Sequence, residues 1–68
     1  MTNMDLLTEA MDRSNLTVVK ICEMADIERQ TFYNRLNGKG EFTASEIAGL
    51  TKALHLTKRQ RDDIFFAK

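Results

Sequence analysis

Proline and tryptophan are absent from this 68-residue chain, and glycine occurs only three times, twice beside Lys39. With so little to punctuate it, the chain reads as helices joined by brief turns. One cysteine, Cys22, excludes an internal disulfide, and the sequence has no cluster of metal ligands to act as a staple. No apolar run approaches the ~20 residues that a membrane span requires, and no signal-peptide pattern opens the chain. A lone thiol fits a reducing interior, so the expected location is the cytoplasm. Net charge is lacking as well: ten Lys and Arg balance ten Asp and Glu. That balance counts against nucleic-acid binding, because domains of that kind are usually basic.

Hydrophobic residues make up 43% of the chain, ordinary for a globular protein. The length allows one domain over residues 1–68 and no second core. A chain this short buries only about 60% of the surface its unfolded form exposes, so modest stability is expected. Charge is unevenly spread. Residues 1–15 carry a net −2, whereas the stretch from Arg29 to Gly40 carries +3 with no acid. A local field of that kind can meet phosphates even on a neutral molecule.

Five helices are legible. Thr2 or Asn3 caps a first helix running to about Arg13, with Leu6, Leu7, Ala10 and Met11 on one face. Thr17 caps a second, in which Ile21, Cys22 and Ala25 share a side. A third carries Phe32 and Leu36 four residues apart and stops at Asn37-Gly38, where glycine supplies a left-handed helix end. Thr43-Ala-Ser-Glu46 and Thr57-Lys-Arg-Gln60 are capping boxes that open the fourth and fifth helices. The fourth presents Ile47, Leu50 and Leu54, and the fifth ends at Ile64-Phe65-Phe66.

Residues 17–36 carry the functional signal. Two helices of about eight residues flank a short turn around Asp26, an acidic side chain that tolerates left-handed geometry better than most non-glycines. Cys22 is small enough for the next helix to cross closely, and Ile27 and Phe32 plug the angle between the two. With Phe32 and Leu36 turned inward, Arg29, Gln30, Tyr33 and Asn34 face away. Arginine can bond guanine O6 and N7 together, and glutamine or asparagine can bond adenine N6 and N7. The bland alternative for each is a solvated helix face; Tyr33 could equally pack beside the turn.

Residues 17–36 with Leu36-Asn37-Gly38-Lys39, together with Phe42-Thr-Ala-Ser-Glu-Ile47, Leu54, Leu56 and Asp63-Ile64-Phe65-Phe66, resemble the lambda-repressor-like helix-turn-helix family, above all its small Cro-like regulators of temperate phages. The resemblance covers nearly the whole chain. It implies an all-α, compact five-helix domain with the helix-turn-helix at helices 2–3. It also implies a cytoplasmic regulator in a bacterial host cell that represses transcription by occupying a duplex DNA operator. Arg29, Gln30 and Asn34 hold the usual base-reading positions, with Tyr33 beside them, and Thr17, Thr31, Arg35, Asn37 and Lys39 would touch phosphate. Three positions depart from the family pattern. Val18 replaces a glutamine that often anchors the second helix to phosphate, and Asp26 replaces the turn glycine. Arg35 stands where many relatives bury an aliphatic, and is expected on the surface within reach of phosphate. Glu28 is a poor cap and repels phosphate.

Other residues point to no chemistry. Cys22 has no histidine near it in sequence, and His55 stands alone near a helix end, where a partly exposed or capping role is its default. Asp62 and Asp63 are helical neighbours that point apart; i, i+4 pairs with Lys58 and Arg59 are expected of them instead of acid–base work. With no nucleophile–base pair, an enzyme is not expected, and no cofactor or small-molecule ligand is implied. Adjacent Phe65 and Phe66 are hard to bury together at about 100° per residue. Either the helix end lets both pack against Leu6, Leu54 and Leu56, or one ring contacts a second copy in a homodimer. A second functional class remains: a protein-interaction module of the antirepressor type, favoured by zero net charge, Val18 and Glu28.

Overall fold

The computed structural model describes residues 2–66. Among them lie five helices and no strand: α1 Met4–Ser14, α2 Val18–Ala25, α3 Arg29–Leu36, α4 Ala44–Ala53 and α5 Lys58–Phe65. The all-α, five-helix expectation is met, and the helices fold into a compact body of 28 × 24 × 20 Å.

Local chemistry sets the helix starts. Asn3 Oδ1 accepts from the Leu6 N–H at 3.1 Å, and Thr17 Oγ1 accepts from the Lys20 N–H at 3.1 Å. Both capping boxes close. The Glu46 N–H donates to Thr43 Oγ1 at 3.2 Å while the Thr43 N–H donates to Glu46 Oε1 at 3.0 Å. Thr57 and Gln60 make the same exchange at 3.1 and 2.8 Å. These bonds satisfy donors that a helix N-terminus otherwise leaves orphaned. Only α3 starts without one, since Glu28 makes no side-chain cap.

Three helix ends close alike. After α2 the Ile27 N–H donates to the Cys22 carbonyl at 3.0 Å and the Asp26 N–H to Glu23 at 3.3 Å. After α3 the Lys39 N–H reaches the Asn34 carbonyl at 2.8 Å and the Gly38 N–H reaches Arg35 at 3.1 Å. After α4, Leu56 and His55 bond Thr51 and Lys52 at 2.9 and 3.3 Å. Each closure requires a left-handed residue, and Asp26, Gly38 and His55 take φ of 57°, 80° and 54°. His55 is thus a helix-end residue, exposed to solvent.

The core is a single cluster in which Leu7, Ile21, Phe32 and Leu50 are fully buried. Phe42, from the loop between α3 and α4, joins two helices: its ring lies 6.1 Å from that of Phe32 and 5.5 Å, edge to face, from that of Phe65. Helix α2 lies against α4 so closely that a Cβ on Gly49 would strike the Ala25 carbonyl oxygen. The Asn3 N–H donates to the Ile64 carbonyl at 2.6 Å, joining the start of α1 to α5. No buried side-chain nitrogen or oxygen lacks a partner among the described residues. None of the helices there is long and apolar enough to cross a membrane.

Candidate nucleic-acid interface

Helix α3 is held in rotation by one wedge. Phe32 is fully buried against Phe42, and Leu36, a turn later, is half-buried on the same core. At about 100° per residue, Gln30 and Asn34 then fall on the opposite side, with Tyr33 and Thr31 on the flanks. Gln30 and Tyr33 are exposed, whereas Thr31 and Asn34 are half-buried. Tyr33 leaves 45% of its surface open, so packing beside the turn does not absorb it. Gln30 Nε2 donates to Asn34 Oδ1 at 3.1 Å, and the two amides form a pair.

The turn into α3 consists of Asp26, Ile27 and Glu28, of which Ile27 is buried and the acids are exposed. Arg29 leaves the first turn of α3 and is exposed, but at about 100° per residue it lies closer to the Phe32 side than Gln30 or Asn34 does. It shares one surface depression with Val19, Cys22, Glu23, Asp26, Ile27 and Glu28. Three acids therefore line the same depression as Arg29, although none forms an ion pair with it among the described residues. Cys22, 4% exposed, has its thiol pushed up by burial, with the Arg29 charge acting against that shift. A protonated core thiol is the result, inert as a nucleophile.

Of the expected phosphate contacts, Thr17, Asn37 and Lys39 are exposed. The Thr17 hydroxyl is already an acceptor in the α2 cap. Arg35 does not extend freely to the surface. Its Nε donates to Glu46 Oε1 at 3.1 Å and its Nη2 to Oε2 at 3.4 Å, and its side chain is only 20% exposed. Its Nη1 reaches the Lys39 carbonyl at 3.5 Å, so one guanidinium braces the loop between α3 and α4. Burial acts most strongly on the Glu46 carboxyl and pushes it up. The Arg35 hydrogen bond, the Thr43 N–H and the Arg35 charge together outweigh this and hold it below its ordinary 4.5. Spacing could not reveal this pair, because its members are eleven residues apart across a loop.

The tandem phenylalanines divide. Phe65 is 3% exposed and packs on Phe42, so it is unavailable to a second copy. Phe66 is 54% exposed, with the Arg61 guanidinium 5.9 Å from its ring centroid. It borders a shallow depression with Phe42, Ala44, Ile47 and Ala48. Asp62 pairs with its neighbour Arg61 at 2.8 Å and not with Lys58. No group of three His, Cys, Asp or Glu side chains converges among the described residues. Compared with protein-family models, with curated proteins and with solved structures, the chain has no match.

Proposed function

We propose that this chain is a sequence-specific regulator that binds duplex DNA through α3, with α2 and α3 forming a helix-turn-helix of the lambda-repressor-like kind. The observation that carries the reading is the rotation of α3: a buried Phe32 commits one side to the core and leaves a side with Gln30, Tyr33 and Asn34 to meet a groove. The left-handed closure at Gly38 supports it, since the Leu36-Asn37-Gly38-Lys39 stretch turns the chain away from α3 and leaves Lys39 exposed. The mechanism is occupancy, in the manner of a Cro-like repressor of phage or prophage origin: α3 enters the major groove, Thr17, Asn37 and Lys39 hold phosphates, and polymerase or a rival repressor is excluded. Phe66 supplies a contact between two copies on the operator.

Salt titration of binding to a sequence selected from random duplexes tests the proposal. Affinity should fall steeply as salt rises, and Lys39→Ala should flatten the logarithmic slope by about one. Affinity independent of salt, with no sequence enriched from the pool, would remove DNA from the account. The second reading, an antirepressor-type module that binds another regulator, is favoured by neutral net charge and by Val19 and Met24, 45% and 43% exposed on α2. It requires that substitutions at these two residues, and not at Gln30, abolish regulation.

A further inference from the structure

The bond between Gln30 and Asn34 has a consequence for what α3 can read. A primary amide offers two N–H donors and one carbonyl acceptor. With Gln30 Nε2 donating to Asn34 Oδ1 at 3.1 Å, one Gln30 proton is engaged. Gln30 keeps its Oε1 and its second Nε2 proton, an acceptor beside a donor on the outer edge of the amide. A lone glutamine can turn its amide end over end and offer the two in either order. Here a turn by Gln30 alone would set Oε1 against Oδ1, two acceptors with no proton between them. Reversal demands that both amides turn together, so the bond ties the orientation of the Gln30 amide to that of Asn34.

An acceptor beside a donor has one complement among the single bases. Adenine shows N6–H as donor and N7 as acceptor in the major groove, whereas guanine shows two acceptors, O6 and N7. We infer that Gln30 reads a single adenine and that Asn34 is its positioning residue, not a second reader. The inference rests on the DNA-binding proposal above. Asn34 is half-buried on the opposite side of α3 from Phe32, while Gln30 is exposed one turn nearer the helix start. The shorter, less exposed amide holds the longer, more exposed one. This assigns Asn34 a role different from the base contact that its position implies by resemblance.

Selection from a random duplex pool with the native chain, Gln30→Ala, Asn34→Ala, Asn34→Asp and the double alanine variant tests it, with helical content confirmed for each. The native chain should prefer adenine at a position whose preference Gln30→Ala erases. Asn34→Ala should weaken preference at that same position about fivefold, the worth of one ordinary hydrogen bond, and alter no other position. Asn34→Asp keeps the acceptor for Gln30, so it should restore the adenine preference even where its charge lowers overall affinity. In the Gln30→Ala background, Asn34→Ala should change nothing further. If Asn34→Ala instead erases preference at a different position and leaves the adenine intact, Asn34 is an independent reader and the inference fails while DNA binding stands. If the native chain enriches no sequence, DNA binding fails and takes the inference with it.

Discussion

Glu46 joins two helices with one carboxylate. Its Oε1 accepts from the Thr43 N–H at the start of α4 and from Arg35 Nε at the end of α3, and Oε2 faces Arg35 Nη2. Folding lowers its pKa, so the ionised form stabilises the native state fully above about 4.5, and that contribution fades as pH falls through the lower folded value. Glu46→Gln keeps a side chain able to close the capping box but removes the charge and the acceptor that faces Arg35 Nη2. At pH 7 the variant should be less stable than the native chain by about 1.5–3 kcal/mol, the net worth of a hydrogen bond to a charged group. Thermal melts from pH 7 to pH 3 check the sign: the gap between the two proteins should be constant above pH 5 and narrow toward the acid end. A gap that widens in acid contradicts the account. The same bond explains why Arg35 belongs to the scaffold, a use its position beside the expected phosphate contacts did not suggest.

At the scale of helices, caps and crossings divide the work. Starts were readable because a cap needs only residues three apart: Thr43 with Glu46, Thr57 with Gln60 and Asn3 with Leu6 each satisfy local donors. Gly49 was not singled out, because nothing local in α4 demands glycine. Its reason is α2, whose Ala25 backbone occupies the space a Cβ would need. Gly49→Ala should therefore destabilise despite alanine's better helix propensity, which favours it by about 1 kcal/mol. Overpacking against unyielding backbone should cost about 2–3 kcal/mol beyond that gain and lower Tm by about 10 °C. A melt showing an unchanged or raised Tm would mean that the two helices can part at little cost. Because α2 ends at the turn into α3, displacement at this crossing should also weaken any binding that depends on the placement of α3.

For the molecule as a whole, neutral charge and an exposed ring bear on how the proposed partners would be met. Thr17, Asn37 and Lys39 are few contacts for one copy, and Glu23, Asp26 and Glu28 line the same depression as Arg29. Under the proposed function a single domain binds weakly, and two copies gain by engaging half-sites about 34 Å apart, one turn of DNA. Phe66 beside Phe42, Ile47 and Ala48 is the apolar surface through which the copies would meet. Phe66→Glu should leave the thermal melt within about 0.5 kcal/mol of native, as surface substitutions do, and abolish self-association in sedimentation with a palindromic duplex. A strictly monomeric native chain at high concentration, with and without DNA, would sink the dimer.

The three- and four-residue spacing of apolar residues, the capping boxes and the helix-ending Asn37-Gly38 were enough to specify five helices and the inward side of the first four, since those signals act over a few residues and need no knowledge of neighbours. Asp26 in the left-handed region was legible for the same reason. Tertiary structure alone decided the rest. It paired Arg35 with Glu46 across a loop and wedged Phe42 between Phe32 and Phe65. It also buried one of two adjacent phenylalanines and left the other in solvent. Local hydrogen bonds are written along the chain, but charge neighbours and shared burial depend on which distant segments fold back beside a residue.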